Sequence, residues 1–206
     1  MTAAKITTLD KGKLLGLLAA SLVSISPARA ADGWSIDPTH SQANFTVRHM
    51  MVSNVRGSFS KLQGKASYDG KDLQGASVEA NIDASSIDTH DAKRDGHLKS
   101  PDFFDVAKYP EIKFVSKKVV STKNGIDIEG NLTLHGITKP VVLHGSKLSE
   151  PVKDPYGNIR IGTVATTQIN RKDFGMTFNQ QLDNGGLMVG EEVGIELDVE
   201  LVKNKG

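Results

Sequence analysis

The chain of 206 residues contains no cysteine. That excludes disulfide staples, thiol nucleophiles and thiolate metal sites, so stability has to come from a buried core, which a chain of this length can form. Aromatic residues are scarce, at 5%. Charge of either sign is not in excess, with 25 Lys and Arg against 24 Asp and Glu, and that balance gives no electrostatic footprint for nucleic acid or an anionic membrane surface. The sequence has no G-x-S-x-G elbow, no H-E-x-x-H pair, no phosphate loop and no dinucleotide glycine fingerprint. One apolar run stands out, Leu14–Ile25, but about twelve residues fall short of the ~20 needed to span a bilayer.

That run fits a different role. Lys5, Lys11 and Lys13 lie before or at its start and Ala28-Arg29-Ala30 follows it, the basic, apolar and small-x-small succession of a secretory signal peptide. Residues 1–30 are therefore expected to be an export signal and residues 31–206 a single domain, released into the periplasm and not embedded in a membrane. With no Cys after the apolar run, no acylated lipoprotein anchor can form. Cleavage removes four of the 25 bases and one of the 24 acids, leaving 21 against 23.

Period-two alternation dominates what remains. Ala43, Phe45 and Val47 share one face while Gln42, Asn44, Thr46 and Arg48 share the other. Val55, Gly57 and Phe59 are in one phase, but Leu62, Gly64, Ala66 and Tyr68 are in the opposite one. The slip near Ser60-Lys61 predicts a bulge, as a strongly curved strand needs. Alternation continues through Ala76–Ala84, through Ile126, Ile128, Leu132 and Leu134, and through Val193–Leu201. Turn signals fall at Asp37-Pro38, Asp69-Gly70, Asn124-Gly125, Asp154–Asn158 and Asp183–Gly186, and Gly136 and Pro140 are expected to bracket another reversal. About eight strands with short connections predict an all-β antiparallel fold with one apolar and one wet face, closed as a barrel or split as a sandwich.

One stretch, Ser85–Phe114, reads as helical turns. Thr89 is the expected N-cap, Asp91 and Asp95 lie three or four residues from Arg94 and Lys99, and Gly96 keeps the helix short. Ser100-Pro101 predicts a second helix start, and Tyr109-Pro110 ends the run. An aromatic, charge-rich insert in a strand-rich chain is a natural lid.

The inward phase supplies Phe45, Val47, Phe114, Ile128, Leu132, Leu134, Ile195 and Leu197. Such residues either fill a small barrel or line a cavity. The recurrence of Ala and Gly in the same phase leaves room for a cavity. His90, Asp91 and His97 match no strong metal-ligand spacing, and Arg94, Asp95 and His97 suit either a polar head group or an internal ion-pair network.

Several motifs together resemble the YceI-like family of exported, lipocalin-like polyisoprenoid-binding proteins. They are Trp34-Ser35-Ile36-Asp37-Pro38-Thr39-His40-Ser41, Phe45-x-Val47-x-His49 and Gly57-Ser58-Phe59 in the first part of the chain. Arg94-Asp95-Gly96-His97-Leu98, Ser100–Asp105 and Tyr109–Phe114 follow within the insert. Gly130–Gly136 with Pro140-Val141, and Arg171-Lys172-Asp173-Phe174-Gly175, complete the set. The resemblance implies an eight-stranded antiparallel barrel with a short helical insert, whose apolar interior takes an isoprenoid or fatty-acyl chain. On that reading the eight inward residues and Phe104 contact the lipid, and Arg94 and His97 are candidates for its head group. The resemblance carries over no catalytic residue, cofactor or metal. The competing readings are an enzyme acting on such lipids, with His97 or His40 as acid or base, and an interaction protein whose barrel is filled by side chains.

Overall fold

The computed structural model describes residue 1, residues 32–183 and residues 185–205; the expected export signal lies outside the described residues. The alternating segments become strands β1 (Asp32–Ile36), β2 (Gln42–His49), β3 (Ser53–Phe59), β4 (Leu62–Tyr68) and β5 (Ser77–Asp83). A two-residue strand β6 (Ile87–Asp88), helix α1 (Ala92–Leu98) and an irregular stretch to residue 110 form the insert. Then come β7 (Glu111–Ser121), β8 (Gly125–Leu134), β9 (Ile137–Ser146), the short β10 (Val152–Lys153), β11 (Ile159–Asn170) and β12 (Val189–Lys203).

These strands close into an eight-stranded antiparallel barrel. Around the ring, β12 is followed by the bent strand β1/β2, the bent strand β3/β4, then β5, β7, β8, β9 and β11, and β11 pairs back onto β12. The two bent strands act as single staves broken in the middle. The C-terminal end of β12 takes β1 and its N-terminal part takes β2, while β4 pairs with β1 and β3 with β2. The break between β3 and β4 is the expected phase slip. Phe59 and Leu62 are both buried, with exposed Ser60 and Lys61 between them, so the strand turns a corner and keeps its apolar face inward.

The insert differs from its sequence reading in three ways. Asp91, not Thr89, caps α1, its carboxylate accepting the Arg94 backbone N–H. Thr89 is buried, and its hydroxyl and backbone N–H donate to Asp95 Oδ1. Arg94 donates to the Thr89 hydroxyl and carbonyl instead of reaching Asp91, because residues 89–95 curl so that these groups meet across the first turn. Ser100-Pro101 opens successive turns, not a second helix. The Ser100 carbonyl accepts from both Phe103 and Asp105, and Asp105 sits at φ 43, a left-handed conformation that stops propagation.

Pro140 also differs: it lies inside β9, opposite Asn131 of β8. Proline is tolerated there because β11 meets the other edge of β9 only at His144 and Gly145, so no partner stands opposite Pro140 to receive an N–H. The reversal itself is a tight turn at His135 and Gly136, both with positive φ. A side chain at Gly136 would strike the Tyr109 ring.

Candidate functional site

The inward residues of all eight staves surround a cavity of about 250 Å³, just under the ~300–1,000 Å³ typical of small-molecule sites. Its wall is almost wholly apolar. From Val193 to Leu201 every second residue of β12 lines it. At ~3.3 Å per residue and a stave tilt of ~40° that is ~20 Å along the barrel axis, longer than half of the ~30 Å hydrocarbon core of a bilayer.

All nine apolar residues picked from the sequence are on this wall. Phe45 and Val47 come from β2, Phe114 from β7, Ile128, Leu132 and Leu134 from β8, Ile195 and Leu197 from β12, and Phe104 from the insert. Phe104 stands edge-on to Phe59, with ring centroids 5.6 Å apart, and Leu98 and Phe103 also reach the wall, so the insert covers the end of the barrel where β5 stops and β7 begins. Small inward residues do not all translate into free volume. A side chain at Gly57 would meet the Phe45 ring and one at Gly130 the Phe114 ring, so two inward glycines are beds for aromatic rings and the void is correspondingly slender.

Arg94 and His97 are not on the wall. The Arg94 guanidinium is bonded to Thr89. His97 bonds Asp102 at 2.9 Å and packs edge-on against Phe103 and Phe178, joining the insert to the segment that follows β11. His40 is exposed beside Asp37. His90, Asp91 and His97 do not converge on a common point. Among the described residues Asp37, His40 and Glu200 do, but the Arg160 guanidinium bonds both acids of that group and Asp154 as well. Arg160 holds the Asp37 and Asp154 carboxyls well below the usual carboxylate range, with His40 adding to the effect at Asp37 and Asn158 at Asp154. The cluster clamps the starts of β11 and the β1–β2 bend to β12.

The residue that sequence reasoning missed is Arg171. It is buried, at 3% exposure, and belongs to the cavity wall. Its Nε donates to the Gly190 carbonyl at 2.9 Å and one terminal nitrogen to the Met176 carbonyl at 2.6 Å, while the other reaches Val189 O at 3.4 Å. Burial pushes the guanidinium below its ordinary pKa. The signal was available: Ile161, Thr163, Ala165, Thr167 and Ile169 line the cavity in strict alternation, and the next residue in that phase is Arg171.

The family model of the YceI-like domain matches residues 34–201. Protein YceI of Escherichia coli is 38% identical over 197 residues, covering 95% of this chain and all of that one. Among solved structures, BcnA of Burkholderia cenocepacia superposes with a TM-score of 0.66 at 22% identity, over 80% of this chain and 98% of that one. A domain from Saccharophagus degradans, described as polyisoprenoid-binding and implicated in plant cell wall breakdown, superposes with a TM-score of 0.59 at 18% identity, over 83% of this chain and 98% of its own.

Proposed function

The chain belongs to the YceI-like family, and from that premise and the apolar barrel interior we propose that it is a periplasmic carrier that sequesters a long-chain isoprenoid or other amphipathic lipid. The observation that carries the reading is the void itself. A barrel serving only as a scaffold would close over its own side chains, whereas this one keeps about 250 Å³ walled by aliphatic and aromatic groups. The description of the Saccharophagus domain as polyisoprenoid-binding agrees with that use of the fold.

The energetics are adequate without chemistry. Each CH₂ taken out of water contributes ~0.8 kcal/mol, so ten contribute roughly 8 kcal/mol before ordering costs. Micromolar affinity corresponds to about 8 kcal/mol, so a chain somewhat longer than ten carbons reaches it. Phe45, Val47, Phe104, Phe114, Ile128, Leu132, Leu134, Ile195 and Leu197 then act as the solvent for the chain. Neither His40 nor His97 faces the cavity, so no acid or base from these two meets a bound lipid in this arrangement. Among the described residues no helix is long and apolar enough to cross a membrane.

The test is lipid extraction and mass spectrometry from natively purified protein, compared with Leu134→Arg. The wild type should carry a long-chain lipid, and the variant, with a cation placed in the apolar wall, should carry little. Equal loading of folded variant and wild type would remove the barrel interior as the site.

A further inference from the structure

The cavity wall carries one charged side chain among the described residues, Arg171, and it sits at the end covered by the insert. A guanidinium has five N–H donors. Three backbone carbonyls, those of Gly190, Met176 and Val189, each take one, which leaves two without a partner among the described residues. Among the described residues no carboxylate is within ion-pair distance of Arg171. Glu191, the acid whose charge acts on Arg171, is held by Lys172 Nζ at 2.5 Å. A buried cation compensated only by carbonyl dipoles is expensive to keep.

We propose that Arg171 is the anchor for the polar head of the bound lipid, receiving an acceptor oxygen of carboxylate or phosphate type on its two free N–H groups. This rests on the carrier reading and adds a direction to it: head at the insert end, hydrocarbon running towards the far end of β12. The acceptor completes the hydrogen-bond set of the guanidinium, and a negative charge there neutralises the cation where little water competes. The remaining wall offers only Asn, Ser, Thr and Tyr as polar side chains, none of which supplies charge.

The orientation can be read directly, because the chain has one tryptophan and it lies at the opposite end. Trp34 is buried, paired with Lys203 at the C-terminal end of β12, and its indole N–H bonds the Tyr68 carbonyl. Arg171 is tied to Gly190 at the other end. Thirteen residues of β12 separate the two, ~40 Å along the strand and ~30 Å along the axis.

Two long-chain fatty acids are prepared, one brominated next to the carboxylate and one near the methyl end, and quenching of Trp34 fluorescence is measured in the wild-type protein. The methyl-end bromine should quench more strongly. Equal quenching, or stronger quenching from the carboxylate end, overturns the anchor while leaving the carrier intact. Absence of binding by either acid and by a hydrocarbon of the same length overturns the carrier reading and the anchor with it. In a second arm, wild type should bind the fatty acid about tenfold or more tightly than its methyl ester, the yield of one charge-assisted hydrogen bond. Folded Arg171→Met should bind the two equally, with Arg171→Lys restoring part of the preference. A preference undiminished in Arg171→Met assigns Arg171 to the backbone clamp alone.

Discussion

The two edges of β11 are held very differently. Towards β12 it is paired residue for residue from Arg160 to Asn170. Towards β9 it is in register only at Ala165 with Gly145 and Thr166 with His144, helped nearer the start of β11 by Ser146 and Ser149, whose hydroxyls accept from the Val164 and Gly162 backbone N–H groups. One seam of the barrel is a continuous ladder; the other is stitched for part of its length. A closed barrel has no free edge, and this one keeps closure while leaving a stretch of wall next to Arg171 without backbone ties. Backbone pairing is therefore densest on the β11–β12–β2 side and sparsest between β9 and β11.

A proline on each side gives the largest effect. Glu196 is outward on β12, flanked by Thr166 of β11 and Asn44 of β2, so its N–H is in a ladder whichever way it points. Glu196→Pro should destabilise by on the order of 3 kcal/mol. Val142 is two residues from Pro140 on β9 and shares its side of the strand, where β11 provides no partner. Val142→Pro should lose less than ~1 kcal/mol. Denaturant melts decide, and comparable losses would erase the distinction between the seams.

The insert gives the next effect. Phe104 packs on Phe59 of β3, on the well-tied side, and is only partly buried. Phe104→Ala should therefore remove about 2 kcal/mol, below the ~3–5 of a fully buried ring. Lys108→Ala, at an exposed position, should change stability little. Matching small losses in both melts would mean that the insert does not brace the barrel.

Acid should weaken the laddered seam at its Arg160 end. Asp37 and Asp154 have folded pKa values depressed below 3.8, and Asp83 is held at about 2, chiefly by the Ser85 hydroxyl and then by Lys61. Depressed carboxyls contribute stability that is present above the unfolded value and lost as pH falls through the folded one. The thermal midpoint should accordingly drop from about pH 4 downward. Arg160→Met should start lower at neutral pH and fall less steeply. Parallel wild-type and variant curves would show that Arg160 is not the source of the acid dependence.

Hydrogen exchange resolves the smallest difference. Amides of β9 that face β11 between Ile137 and Leu143 should exchange faster than those of β12 between Val193 and Asp198, since only the latter are paired on both sides. Uniform protection around the ring would contradict an uneven wall.

Most of the barrel was legible because alternation is a direct print of a one-sided apolar face. Phe59 and Leu62 even showed the corner in β3/β4 through their change of phase. The local details of the insert were not legible. Whether Thr89 or Asp91 caps α1 depends on how residues 89–95 fold back on Asp95, and sequence spacing does not encode that. Pro140 reads as a turn residue in the sequence because its tolerance within β9 depends on a neighbour, β11, that withdraws. Eight members of the apolar wall, among them Phe45 and Leu197, are marked by the inward phase of their strands, whereas others such as Ile161 and Met176 are not singled out by it. Arg94 and His97 are polar and clustered in the sequence, but neither lines the cavity. The charged residue that reaches the cavity was Arg171, hidden at the end of an alternating run whose phase already pointed inward.

A lipid chain held in the barrel interior is the proposal on which the rest depends. Native mass spectrometry of wild-type protein beside Ala165→Phe, which puts a ring into the cavity from a buried alanine on its wall, decides it. With folding confirmed by circular dichroism, wild type should carry a long-chain lipid adduct that the variant loses. An adduct of equal occupancy in both would place the lipid outside the barrel and contradict the account.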